Sequence, residues 1–148
     1  MTVREYLESI FEAGERIELK RQQVQRLHES MTSLSAPMDK EHVFHTKNVD
    51  VMADTIARII DIEHEIDQQT ERLYRMRHKA SIYLDMLKPS GTRVLTMRYI
   101  EGMDVEKIAA ELHYAKSSVF RLIRNAIAEL QSKVDELGDI TFENDDSG

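Results

Sequence analysis

Apolar residues return at every seventh position in two long stretches of this chain, and that spacing constrains the fold more than any other feature. In the first stretch Val3, Ile10, Ile17, Val24 and Met31 share one phase. Tyr6, Ala13, Leu27 and Leu34 lie three residues later, with Lys20 as the exception. A repeat of this kind keeps an apolar seam on one side of an α-helix and suits pairing with a second helix. The intervening positions are rich in Glu, Arg, Gln and Lys and are suited to water. Thr2 followed by Glu5 fits a capping box, in which the two side chains satisfy first-turn amides reciprocally. The spacing predicts one helix from Thr2 to about Leu34.

The second stretch repeats Met52, Ile59, Ile66, Leu73, Ala80 and Leu87 by sevens. Ile56, Ile60, Met76, Tyr83 and Leu84 widen the stripe, and Glu63 and Thr70 interrupt the second phase of the seam. A helix from about Val49 to Lys88 is expected. Residues 35–48 break the repeat around Pro37, which cannot sit inside a helix without losing a hydrogen bond. They predict a connector long enough for the two helices to fold back antiparallel. Two paired helices leave part of so wide a stripe wet, so self-association or packing against the C-terminal part is expected.

Pro89-Ser90-Gly91 is the sharpest punctuation in the chain and predicts a new unit after it. Three shorter helical patterns follow. Thr92 to Ile100 ends at Glu101-Gly102, where Gly102 suits a left-handed cap. Asp104 is an N-cap candidate for Val105 to Leu112. His113-Tyr114-Ala115 is a tight link, with His113 read as a packing or capping residue. Lys116 to about Leu137 is the last helix, closed by Gly138. The expected fold is all-α: a long N-terminal antiparallel helical hairpin (a coiled coil) over residues 1–88, then a helix-turn-helix lobe over residues 90–137. Residues 138–148 are expected to be an acidic, disordered tail.

Composition removes most other classes. Gly 5 and Pro 2 supply too few turns for a fold of many short strands. Cys 0 excludes disulfides, thiolate zinc sites and cysteine nucleophiles together. No stretch approaches the roughly 20 apolar residues of a membrane span. The start, MTVREYLESI, lacks the basic end and apolar run of a signal peptide, so a cytoplasmic location is expected. There is no glycine-rich phosphate loop, HExxH or GxSxG pattern, and neither catalysis nor a cofactor is expected. His42 and His45 have a spacing that can put two imidazoles on zinc, but no third ligand is compelling and no metal site is expected.

The net charge of −7 argues against a nucleic-acid partner only until its distribution is considered. Residues 1–90 are net −3, residues 91–134 net +2, and residues 135–148 net −6. Local charge decides whether a surface can meet phosphate. Ile108, Ala109 and Leu112 form the inner face of one short helix, and Val119, Ile123 and Ile127 that of the next. Joined by a few residues, the two must cross steeply as a helix-turn-helix. Between Tyr114 and Ala128 the last helix carries Lys116, Arg121 and Arg124 and no acid. Ser117 and Ser118 lie at its start, where backbone amides and the helix dipole favour phosphate. The N-terminal half of such a helix enters the major groove. The expected DNA-binding residues are therefore Lys116, Ser117, Ser118, Arg121, Arg124 and Asn125.

The segment resembles region 4 of bacterial sigma factors and related helix-turn-helix proteins. The matching pieces are LTMRYIEG (Leu95 to Gly102), VEKIAAEL (Val105 to Leu112), Ser118-Val119, and AIAEL (Ala126 to Leu130). MADTIARIIDIEHEI (Met52 to Ile66), taken with the whole arrangement, is similar to small phage and prophage regulators of the ArpU-like and RinA-like kind. That resemblance implies sequence-directed binding of double-stranded DNA in control of phage genes. Phe120 and Leu122 depart from the polar or basic residues that sigma factors often carry on this helix, and no upstream segment resembles the region that melts a promoter. Double-stranded DNA is thus the expected partner, with a homo-oligomer, a dimer first, and RNA polymerase as a further candidate. Two other roles fit the same arrangement: a sigma-like accessory binding RNA polymerase, and a small DNA-recognition subunit of a phage packaging motor.

Overall fold

A computed structural model describes residues 1–35 and 42–138, with side-chain surroundings for residues 1–33 and 48–138. The described chain is helical throughout: α1 (Val3–Ser35), α2 (His42–Leu84), α3 (Pro89–Leu95), one π-helical turn (Thr96–Ile100), α4 (Val105–Leu112) and α5 (Lys116–Leu137). The expected all-α fold, with a helical hairpin followed by a helix-turn-helix, is the one observed. The acidic stretch 139–148 lies outside the described residues.

The start of α1 follows from local chemistry. The Glu5 amide donates to Thr2 Oγ1 at 3.1 Å and the Thr2 amide to Glu5 Oε2 at 3.0 Å, closing the capping box. α2 begins earlier than the spacing suggests, at His42 rather than Val49. It also stops earlier, at Leu84 rather than Lys88, because the Met86 and Leu87 amides turn back to Tyr83 and Leu84 and tighten the chain. Thr92 Oγ1 then donates to the Leu84 carbonyl at 2.6 Å, a second bond to the acceptor that the Leu87 amide already reaches at 3.1 Å.

The chain divides into two compact units, and the division is not the one at residue 89. One unit is Glu15–Glu71; the other joins Met1–Gly14 to the described residues from Arg72 onward. In the first, α1 and α2 run antiparallel. Val24, Ile59 and Ile62 are buried, and Leu27, Met31 and Ile66 pack against them. Lys20, the exception in the α1 seam, meets Glu65 of α2 at 2.8 Å. The second row of the α2 seam lies three residues after the first. Ile62 and Met76 are buried on it, with Gln69 and Tyr83 half-buried. Ile56, Glu63 and Thr70 are exposed, and so is Ile60, while Leu84 further along the same row is buried. Of the residues expected to widen the stripe, Met76, Tyr83 and Leu84 are covered and Ile56 and Ile60 are not.

In the other unit the first turns of α1 bury a wider face than the repeat predicts. Leu7, outside both phases, is buried beside Val3, Tyr6 and Ile10. Tyr6 Oη donates to the Met76 carbonyl at 3.2 Å, the Val3 amide donates to Gln131 Oε1 of α5 at 2.8 Å, and the Arg98 guanidinium lies over the Phe11 ring at 4.5 Å. These contacts tie residues 1–14 to the last turns of α2 and to the C-terminal helices.

Pro89 occupies the first turn of α3, where its missing N–H costs nothing. Gly91 is a packing residue here. It is buried inside α3, and a Cβ on it would lie 3.3 Å from the Ala126 Cβ of α5. The expected helix Thr92 to Ile100 changes character at Thr96. The Glu101 amide reaches back five residues to the Thr96 carbonyl at 2.9 Å, and Gly102 turns the chain with φ +71°. Beneath the turn Arg98 Nη1 holds the Met103 carbonyl at 3.0 Å.

Candidate nucleic-acid interface

α4 is set by its cap. Asp104 Oδ1 accepts from the Lys107 amide at 2.7 Å, and Val105, Ile108 and Ala109 turn inward. The helix ends at His113, whose backbone is left-handed (φ 57°), and the Tyr114 amide closes onto the Ala109 carbonyl at 3.0 Å. His113 is therefore a capping residue through its backbone. A left-handed residue there turns the chain within three residues, from the end of α4 at Leu112 to the start of α5 at Lys116. Val119, Ile123, Ala126, Ile127 and Leu130 seal the inner face of α5, with Val119 and Leu130 almost wholly out of water. Anchoring one face of α5 this firmly fixes which residues point out.

Lys116, Ser117, Arg121, Arg124 and Asn125 are all exposed, while Ser118 is half-buried. Five of the six residues expected from sequence are thus open to water. Ser117, Arg121, Arg124 and Asn125 share one face of α5, and Lys116 lies at its first turn to one side of them. Ala115 is the N-cap and offers no side-chain acceptor, and the Ser118 and Val119 amides turn back to its carbonyl at 3.0 and 3.1 Å. The positive end of the helix dipole therefore lies beside Lys116 and Ser117.

Three features of this face were not read from the sequence. Glu106, in the first turn of α4, meets Lys116 at 2.9 Å. Both side chains are largely in water, and an exposed pair of this kind contributes about 0–1 kcal/mol. The residues are ten positions apart on different helices, so nothing local signals the pairing. Phe120 is 55% exposed on α5 and Tyr114 is 52% exposed in the turn before it. Helical spacing puts Phe120 beside the buried Ile127 row, so its exposure is not signalled locally.

Among the described residues no group of three or more His, Asp or Glu side chains is placed to hold a metal ion. The His42 and His45 side chains lie outside the described surroundings. No described helix is long and apolar enough to cross a membrane.

These observations define an all-helical protein whose C-terminal helices form a helix-turn-helix with an exposed cationic face. Residues 30–131 match the model of a family described as a protein of unknown function, DUF1492, and the chain belongs to that family. The match begins near the end of α1 and ends inside α5, so it contains the whole of α2, α3, α4 and the turn between α4 and α5. No curated protein matches the chain, and no solved structure does.

Proposed function

We propose that the chain is a sequence-directed double-stranded DNA-binding protein that regulates transcription of phage or prophage genes. The observation that carries the reading is the division of α5: Val119, Ile123 and Ile127 are buried, Ser117, Arg121 and Arg124 are exposed away from them, and Lys116 is exposed at the first turn. The likeness of this segment to sigma region 4, and of the whole arrangement to the ArpU-like and RinA-like regulators, supports it. In this reading α5 enters the major groove by its first turns. Phosphate contacts from Lys116 and Arg124 hold the register, and Arg121 presents paired N–H donors to a base edge, an arrangement that suits guanine O6 and N7.

Val49, Ile56 and Ile60 are exposed along α2 and favour a homo-oligomer, with a dimer first. Two lobes on spaced half-sites would multiply a modest single-lobe affinity. The test is the binding of mixed duplex DNA followed by fluorescence anisotropy from low to moderate salt. Binding that weakens steeply with salt is expected, with a logarithmic slope near −0.9 for each phosphate neutralised. Unchanged anisotropy at low salt, where electrostatic attraction is strongest, would sink the proposal.

A further inference from the structure

We infer that Phe120 reads the C5-methyl group of a thymine in the major groove. The inference rests on the DNA-binding reading above and assigns it a base-specific contact. Phe120 is among the large apolar side chains that the described fold leaves in water, at 55% exposed. It is not among the buried residues of α5, and it borders the buried row of Ile123 and Ile127 without joining it. Its neighbours decide what can cover it.

Residues four apart stack along one ridge of a helix, so Lys116, Phe120 and Arg124 form a row with the ring in the middle. Arg121 lies beside that row, also exposed. Lys116 already meets Glu106 at 2.9 Å, so a partner that buries this ring under a small apolar spot must bring negative charge chiefly to the side of Arg121 and Arg124. A protein core patch brings no such charge, and burying Phe120 under one would strip water from two cations without replacing it. The major groove supplies the combination: phosphates along both rims, and on each A·T pair a thymine methyl, the one apolar group in the base-edge pattern. A phenyl ring is suited to that methyl and is blind to the hydrogen-bonding edges of the other bases.

The test separates the methyl from everything else about the base. The full chain is used to select bound duplexes from a random pool, and each thymidine in the selected site is then replaced in turn by deoxyuridine. Deoxyuridine pairs identically and lacks only the methyl. For the wild-type chain, one thymine per lobe is expected to weaken binding roughly three- to fivefold when replaced, the equivalent of one buried methyl group. Phe120→Ala, a change at an exposed position, is expected to bind the thymidine and deoxyuridine sites equally well, and Phe120→Leu to recover part of the difference. Equal wild-type affinity for the fully deoxyuridine-substituted site would overturn the inference, as would undiminished methyl sensitivity in Phe120→Ala or a selected site without thymine. All three leave DNA binding itself standing. Absence of any duplex binding by the wild-type chain would instead overturn the DNA-binding reading, and this one with it.

Discussion

Arg121 and Arg124 sit one turn apart on the same exposed face of α5, yet their expected roles differ. Arg121 lies within the N-terminal turns that enter a groove, and Arg124 lies further back toward a phosphate rim. Arg121→Ala should therefore weaken binding to a selected site by more than it weakens binding to random duplex, by about 1–3 kcal/mol for a lost bidentate base contact. Competition assays with both duplexes measure the two losses, and equal losses would reduce Arg121 to a phosphate contact. Tyr99 shows a different residue-scale effect. Burial pushes its phenol above the ordinary 10.0, because the phenolate is poorly solvated there, while the Arg4 charge acts in the opposite sense. The unfolded chain releases this proton first, so the contribution is fully present below pH 10 and is lost as the pH rises through the higher folded value. Tyr99→Phe should flatten the fall in stability on the alkaline side, read by urea denaturation at pH 9 to 11.

At the scale of elements, caps and turns account for the boundaries. The capping box at Thr2, the N-cap at Asp104 and the left-handed Gly138 are all written in a few consecutive residues, and each was legible in the sequence. Asp104→Ala should cost about 1 kcal/mol, lowering the melting temperature by roughly 2–4 °C, because the Lys107 amide loses its acceptor. Thermal unfolding followed by circular dichroism measures it, and no change would show that water replaces the carboxylate. The main α2 seam and the covered Met76, Tyr83 and Leu84 beside it are legible in the sequence, whereas Ile56 and Ile60 are exposed against expectation. Ile56, Ile60 and Ile62 are all β-branched apolar residues within two turns, and composition gives no preference among them. The choice falls to Ile62 because the antiparallel partner presents Val24 on that side. The end of α2 depends in part on a distant group: besides the Leu87 amide, the carbonyl of Leu84 accepts from Thr92, eight residues on, which helical spacing does not reveal.

At the scale of the molecule, the hairpin helices and the compact units do not coincide. α1 and α2 each contribute to both units, Met1–Gly14 and Arg72–Leu84 lying with the C-terminal helices and the remainder with each other. The expected boundary at residue 89 marks a change in helix length, which is a local property. The observed boundary marks a change in what the helices pack against. Within Glu15–Glu71, Val49, Ile56 and Ile60 remain about half exposed, and they are the residues expected to join copies of the chain. Ile56→Lys with Ile60→Lys should shift sedimentation-equilibrium mass toward the monomer and leave helicity unchanged, since neither side chain is buried. A mass near a dimer in the parent chain fits a regulator. A ring of eight or more subunits would favour a packaging subunit instead.

Helix content, the two long seams, the position of the turn before α5 and the exposed cations on α5 were set by the sequence alone. Each depends on residues within about two turns of one another, where hydrogen bonding, φ preference and helical period act without help from the rest of the chain. Tertiary structure decided which row of α2 is buried, why Leu7 is inside, how Gly91 admits α5 and that Glu106 meets Lys116. Those outcomes depend on which surfaces distant segments bring together, and the free energy that selects them comes from area and charge shared between helices. A list of residues in order does not contain that information until the chain has folded.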